Sequence, residues 1–245
     1  MENTKVIILA AGKGTRMRSG LAKVLHEVKG QPMICRVLDM VKQISPDEVY
    51  LVIGHQAAKV REVTRNFNVI YAEQKEQLGT GHAVMAVEPV LKNYSGVTLI
   101  LCGDVPLLRA ETVRTLLAKY RQDNLAGMIL TVRLDDPKHY GRIVRNSTGY
   151  VERIVEYRDA TETEKAIREI NSGIYCFNTA ELFAALKQIK NQNDQKEYYL
   201  TDVIGIMVGA GKKIGTLIID DYLQVQGIND IEDLKKAEAA IETAP

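Results

Sequence analysis

Glycines and cations gather near the start of the chain. Gly12-Lys13-Gly14-Thr15-Arg16-Met17 is followed at a short distance by Lys23. Glycine lets the backbone turn sharply and approach a ligand closely. Successive N–H groups in such a turn form an anion-binding concavity, and Arg16 and Lys23 add two charges. The chemistry that suits this set is the holding of phosphate oxygens. Two common phosphate motifs do not fit it. The dinucleotide fingerprint needs a small residue where Met17 stands, and the P-loop needs Gly-Lys-Ser/Thr after four spacer residues. The competing reading is a strand-to-loop turn with solvated charges.

Asp104 is the second marker, in Cys102-Gly103-Asp104-Val105-Pro106 after the apolar run Val97–Leu101. A carboxylate facing phosphates repels them unless a cation lies between. Mg²⁺ suits that place, since it prefers oxygen and takes one or two protein ligands plus phosphates and water. The alternative is a turn or capping Asp before a helix near Ala110. A third loop runs from Gln74 to His82 and carries Gly79, Thr80 and Gly81. The Gln74 amide has both a donor and an acceptor, as reading a base edge requires. It can flip, so fixed backbone groups near Gly79 must complete any choice between uracil and cytosine. His82 is expected to order the loop or start a helix, because no nucleophile–base pair is recognisable around it.

These loops need a scaffold. Lys5–Ala10, Glu48–Ile53, Asn68–Ala72, Val97–Cys102 and Gly127–Val132 read as buried strands, with helical segments between them near Met33–Gln43, Gln56–Arg65, Thr80–Glu88 and Ala110–Arg121. Such alternation predicts an α/β fold: a Rossmann-like, mainly parallel mixed sheet flanked by helices. In open sheets of this kind ligands bind beyond the carboxyl ends of the strands, where the Gly12 loop and Asp104 both fall. After Leu134 the pattern changes. Asn146-Ser147-Thr148-Gly149 lies between two alternating runs and reads as a hairpin. Further helices are expected at Thr179–Gln188, Leu200–Val208 and Asp230–Thr243, and strands at Ile170–Phe177 and Lys213–Ile219. No linker stands out, so residues 1–245 are read as one domain, with a nucleotide-binding half (1–132) and a second half (133–245) on the same sheet.

Charge excludes some functions. With 32 Lys and Arg against 31 Asp and Glu, the net charge of +1 gives no field for nucleic acid or a membrane surface. Cys35, Cys102 and Cys176 are far apart and read as reduced core residues of a cytoplasmic protein. The N-terminal apolar run is too short for a signal peptide, and no stretch approaches a membrane span.

Taken in order, several motifs resemble one family. They are Leu9-Ala10-Ala11-Gly12-x-Gly14-Thr15-Arg16-Met17, Lys23-Val24-Leu25-His26, Gln77-Leu78-Gly79-Thr80-Gly81-His82-Ala83 and Gly103-Asp104-Val105-Pro106. The series continues with Tyr140-Gly141-Arg142-Ile143, Ile154-Val155-Glu156, Glu169-Ile170-Asn171-Ser172-Gly173, Glu197-Tyr198-Tyr199-Leu200-Thr201-Asp202 and Gly227-Ile228-Asn229. Together they are similar to the uridylyltransferase domain of the bifunctional bacterial enzymes that make UDP-N-acetylglucosamine, a precursor of peptidoglycan. The first loop is shared by many sugar nucleotidyltransferases; the Gln-Leu-Gly-Thr-Gly-His run is narrower. The resemblance implies transfer of UMP from UTP to N-acetylglucosamine-1-phosphate, with pyrophosphate released. It implies that Leu9, Ala10, Ala11, Gly12 and Gly103 line the nucleotide and that Arg16 and Lys23 hold phosphates. Gln74, Gly79 and Thr80 would recognise uracil and ribose. Asp104 and Asn229 would bind Mg²⁺, and Gly141, Glu156 and Asn171 would contact the sugar.

The chain departs from that pattern at named places. Ala22 stands where the family usually has proline, which predicts a less stiff loop before Lys23. Ser172 replaces a threonine and Lys196 a glycine. The family also continues into hexapeptide repeats that carry an acetyltransferase and form a trimer. Their absence here predicts no acetyl transfer and a monomer or weak dimer. Alternative readings are a related pyrophosphorylase using another sugar-1-phosphate or dTTP, and a non-catalytic nucleotide-sugar-binding regulator.

Overall fold

The computed structural model describes residues 4–17, 19–91 and 95–243. The chain begins with β1 (Thr4–Ala10), whose apolar run is almost wholly buried. A short ribbon of β2 (Glu27–Val28) and β3 (Gln31–Pro32) leads into α1 (Met33–Ile44). That helix buries Met33, Ile34, Val37, Leu38, Val41 and Ile44, the spacing of one helix face. The alternation continues with β4 (Glu48–Ile53), α2 (Ala57–Thr64), β5 (Ile70–Glu73), α3 (Thr80–Met85), β6 (Val97–Cys102), α4 (Ala110–Gln122) and β7 (Gly127–Arg133). There follow the hairpin β8 (Arg142–Arg145) and β9 (Val151–Val155), then α5 (Glu162–Lys165), β10 (Glu169–Asn178), α6 (Thr179–Leu186), α7 (Asp202–Gly209), β11 (Ile214–Ile219) and α8 (Ile231–Thr243).

Among the described residues the main sheet runs β11-β7-β10-β6-β1-β4-β5, with β8 and β9 attached through β10. Only β10 is antiparallel to its neighbours on that path; the other pairings are parallel. The register sets Leu9 opposite Cys102 and Ala10 opposite Ile53, so β1, β4 and β6 end at one edge. Ala11–Gly12, Gly103–Asp104, Gly54–Gln56 and Gln74 therefore leave the sheet together. Because β10 runs the other way, its start at Glu169–Asn171 lies at the same edge. The pairing of β10 with β7 shifts between Asn171 and Tyr175. Ser172 stabilises that irregularity by donating its hydroxyl to the Leu130 carbonyl (2.6 Å) and accepting from Ile174 N–H (3.2 Å). The Asn171 side chain closes the irregularity from its other end, accepting from Gly173 N–H at 3.2 Å.

The two faces of the sheet bury separate sets, as period-2 alternation requires. Val6, Ile8, Leu51, Leu99 and Leu101 pack with residues of α1 and α4. Ile7, Tyr50, Val52 and Ile100 pack with residues of α3, α6 and α7. Helix α8 lies against the ribbon through Ala237, beside Val28, Met33 and Ile228.

The strands expected at 48–53 and 97–102 are found with those limits. Other elements differ at their ends. The helix expected from Gln56 begins at Ala57, because Gln56 itself is left-handed (φ 54°). The sequence reading missed the ribbon, whose strands are two residues each, and the one-turn α5, although Thr161 and Glu164 form its capping box. Among the described residues no helix is long and apolar enough to cross a membrane. Cys35, Cys102 and Cys176 are all unpaired.

Phe177 on β10 is fully buried and stacks on Tyr175 at 5.6 Å between ring centres. Truncation there leaves a cavity between the sheet and α6. Phe177→Ala is expected to lower unfolding free energy by about 3–5 kcal/mol, measured by urea denaturation. A loss below about 1 kcal/mol, the size expected of a surface change, would contradict this packing.

Candidate active site

The glycine loop is assembled around Lys23. Gly14 has φ +66°, and a Cβ on it would lie 2.5 Å from the Lys23 Cβ. Only glycine lets the loop pass that close. Lys23 then opens a single 3-10 turn, Lys23–Leu25, seated on buried Val24 and Leu25. Its ammonium reaches Asp104 Oδ2 and Asn229 Oδ1, the latter at 2.8 Å. Three residues distant in sequence thus meet at one point.

Each partner is held by backbone. Gly103 N–H donates to the Leu9 carbonyl (2.9 Å), which ties the end of β6 to β1. The Asp104 carbonyl accepts from Ile228 N–H (3.0 Å) and draws the 227–229 segment alongside. Asn229 donates its Nδ2 to the Gly227 carbonyl at 2.9 Å, so its oxygen is the end that faces Lys23. Asp233, in the first turn of α8, accepts from Asn229 N–H at 3.0 Å.

A carboxylate oxygen and an amide oxygen converging on an ammonium define a place that takes a cation. The ammonium is the stand-in there. One carboxylate plus one neutral oxygen suits a divalent ion that arrives with phosphates and keeps water ligands. Among the described residues no group of three or more His, Cys, Asp or Glu is placed to cage a metal alone.

The 74–82 loop is fixed differently. Gly79 has φ +109°, and a Cβ on it would strike the Tyr198 carbonyl at 2.7 Å. Tyr198 pairs with both sides of that glycine: its N–H donates to the Leu78 carbonyl and its carbonyl accepts from Gly81 N–H, both at 2.8 Å. The Thr80 hydroxyl accepts from Leu200 N–H at 3.0 Å. The Glu-Tyr-Tyr-Leu motif is therefore the support of the Leu-Gly-Thr-Gly motif. Gln74 is 3 % exposed and donates Nε2 to the Gly79 carbonyl (3.0 Å). The same nitrogen lies 3.1 Å from His82 Nδ1. A carbonyl can only accept, so the amide is pinned with Oε1 as the free acceptor. His82 orders the loop, as expected.

Two of the remaining residues, Arg16 and Glu156, line a cleft of about 710 Å³ together with His139, Tyr157, Arg158 and Gln195. Arg16 from the glycine loop and Glu156 from the second half face the same space. Gly141, Glu156 and Asn171 are adjacent: a Cβ on Gly141 would lie 3.5 Å from both Asn171 Cβ and Glu156 Oε2. Asn171 N–H donates to the Gly141 carbonyl (2.9 Å), and its Nδ2 to the Tyr175 hydroxyl (2.7 Å). Leu9, Ala10 and Ala11 form the sheet end beneath Gly12. The Ala11 carbonyl accepts from His55 N–H (3.1 Å), and Gly12 is exposed.

Residues that sequence reading gave no role complete this half. Arg142 is 2 % exposed and donates to the carbonyls of Lys138 (2.9 Å), Tyr140 and Lys165 (3.3 Å). It holds the 138–140 loop in front of Gly141. Tyr140 and Tyr222 meet hydroxyl to hydroxyl at 2.9 Å, which joins that loop to the segment leading to Asn229. The Thr201 hydroxyl donates to Glu156 Oε1 (3.2 Å). A buried arginine carries no recognisable spacing, and its quoted motif offered the only signal.

The family model of the MobA-like NTP transferase domain matches residues 6–198, and the chain belongs to that family. The "Bifunctional protein GlmU" of Pediococcus pentosaceus is 49% identical over 231 residues, covering 94% of this chain and 49% of its own length. The protein of the same name from Halalkalibacterium halodurans is 48% identical over 238 residues, covering 97% and 52%. The chain thus spans about half the length of the curated relatives it matches. A crystal structure of a UDP-glucose pyrophosphorylase complexed with UDP-glucose superposes with a TM-score of 0.78. It is 16% identical and covers 98% of both chains, which establishes the fold.

Burial raises the Glu156 carboxyl above its ordinary value of 4.5. The Thr201 hydrogen bond opposes this, while Asp159, Asp202 and Glu197 reinforce it. An acid whose value is raised by folding binds more protons when folded. Its stabilising contribution is present below 4.5 and is lost as pH rises through the raised value. Glu156→Gln keeps the size and removes the charge. It is expected to raise the melting temperature by a few degrees at pH 7.5, with the gain fading toward pH 4. A variant no more stable than the parent at pH 7.5 would show that Glu156 carries no burial strain.

Proposed function

We propose that the chain transfers UMP from UTP to N-acetylglucosamine-1-phosphate, giving UDP-N-acetylglucosamine and pyrophosphate. The observation that carries this is the convergence of Asp104 and Asn229 oxygens on the Lys23 ammonium, at the mouth of a glycine loop. It is a charge-handling site, which fits transfer between two phosphates. The choice of uracil is supported by Gln74. Its pinned Oε1 accepts from the N3–H of uracil and repels the N3 lone pair of cytosine. The choice of sugar is supported by the cleft lined by Glu156, with Gly141 and Asn171 beside it, where a carboxylate and backbone groups can meet hydroxyls and an amide. The resemblance of the motifs to N-acetylglucosamine-1-phosphate uridylyltransferase domains supports both choices.

In this reading the phosphate oxygen of the sugar attacks the α-phosphorus of UTP, and the bond to the β-phosphate oxygen breaks. The attacking oxygen is already ionised, so no general base is required. Arg16 and Lys23 neutralise the phosphates and steady the charge that moves onto the leaving pyrophosphate. Gln74, Gly79 and Thr80 fix the nucleoside; Leu9, Ala10, Ala11, Gly12 and Gly103 bring backbone to the phosphates and ribose. Orientation across the cleft supplies much of the acceleration. Asp104 and Asn229 fit Mg²⁺, which would neutralise phosphate charge when bound. The enzyme would work in the cytoplasm, where its three cysteines stay reduced, as a monomer or weak dimer with small-molecule substrates only.

Pyrophosphate release from UTP against a panel of sugar phosphates tests the proposal. N-acetylglucosamine-1-phosphate is expected to lead glucosamine-1-phosphate and glucose-1-phosphate by at least about tenfold in kcat/KM, a difference a few hydrogen bonds supply. UTP should lead dTTP and CTP. No release with any pair would favour a binding regulator, and a preference for another sugar or dTTP would favour a related pyrophosphorylase. Lys23→Ala is expected to lower kcat by about 10²–10³-fold, the size seen when a charge-stabilising donor is removed. Its effect on UTP binding should be smaller, because the lysine acts most on charge that develops in the transition state. Weaker UTP binding with unchanged kcat would reassign Lys23 to ground-state binding.

A further inference from the structure

We propose that Gln56 is a positioning residue for Lys23, clamping the phosphate loop from across the sheet edge. Its side-chain amide uses both ends on two nearby backbone groups. Oε1 accepts from Ala22 N–H at 3.0 Å, and Nε2 donates to the Gly20 carbonyl at 2.6 Å. These bonds cross 34 and 36 positions of sequence, so they fix the loop against β4 and not against itself.

The backbone at Gln56 is set up for this. Gln56 sits at the N-terminus of α2 with φ 54° and ψ 37°, and its side chain makes no cap bond to that helix. A left-handed, non-glycine residue holds that conformation only where its surroundings impose it. One residue earlier, His55 N–H donates to the Ala11 carbonyl at 3.1 Å. The 55–56 turn thus grips the start of the loop at Ala11 and its end at Gly20 and Ala22. Ala22 is fully buried, and Lys23 follows it directly.

The clamp answers the expectation that Ala22 makes the loop less stiff. Ala22 has φ −57°, within the range a proline ring fixes. The group proline lacks, the N–H, is the one Gln56 takes. A hydrogen bond from a distant side chain therefore does what a ring would do covalently.

This inference rests on the assignment of Lys23 to the phosphates, so its test separates the two. Gln56→Ala, Ala22→Pro/Gln56→Ala and Lys23→Ala/Gln56→Ala are compared with the parent by hydrogen exchange of peptides within residues 12–25, without substrate, and by pyrophosphate release. Gln56→Ala is expected to speed exchange in those peptides and lower kcat about tenfold, the value of two neutral hydrogen bonds. Its KM for UTP should stay within about twofold, as for the loss of a transition-state interaction. Adding Ala22→Pro should restore slow exchange and most of kcat. In the Lys23→Ala background the Gln56 change should cost less than about twofold, since residues that act through one another are not additive. Unchanged exchange and kcat in Gln56→Ala, failure of Ala22→Pro to restore them, or a full tenfold loss on top of Lys23→Ala would each overturn the proposal. If the parent releases no pyrophosphate, the functional reading fails while the exchange data still decide the clamp.

Discussion

The meeting of Asp104, Lys23 and Asn229 is the constraint on which the site depends. An ion pair taken out of water gains little net stability, because desolvation offsets attraction. Its value here is location. It joins the end of β6, the turn after the glycine loop and the segment before α8, which come from three separate parts of the chain. Parallel register makes this possible: Leu9 beside Cys102 brings Gly12 and Asp104 to one edge. The bond from Ile228 to Asp104 and the Asp233 contact to Asn229 then hold the third partner. Without them the Asp104 carboxylate would have no neutral oxygen beside it.

The other half of the cleft is held by groups that do not face a ligand. Arg142 gathers loop carbonyls, Tyr198 brackets Gly79, and the Tyr140–Tyr222 pair connects the 138–140 loop to the approach to Asn229. Glu156 sits among other carboxylates in a partly buried place, at a cost to the fold. Positions of this sort are where local stability and function pull apart.

Much of this was legible in the sequence for physical reasons. The buried strands announced themselves as short branched runs, and Glu48–Ile53 and Val97–Cys102 have the predicted limits because turn-forming residues bound them. The glycine loop, Asp104 and Gln74 were legible as chemistry, since their residue types allow few roles. Asn229 and the sugar residues were named only through the family resemblance; nothing in their spacing points to a ligand. Gln56 was read as the first residue of a helix, because a left-handed glutamine leaves no periodic trace. Arg142, Tyr222 and Thr201 were given no role, as contacts between distant segments exist only after folding. The flip of Gln74, open in the sequence, is settled by a carbonyl five residues away.

The central claim is that Asp104 and Asn229 together receive a divalent cation carried by the nucleotide. Water-proton relaxation of Mn²⁺–UTP titrated with the protein measures this directly, because bound Mn²⁺ tumbles slowly and relaxes water faster. The parent protein should enhance relaxation, and folded Asp104→Ala and Asn229→Ala should each need at least about tenfold more protein for the same enhancement, as even outer contacts of a metal are worth that much. Identical titrations for the parent and both variants would contradict the account.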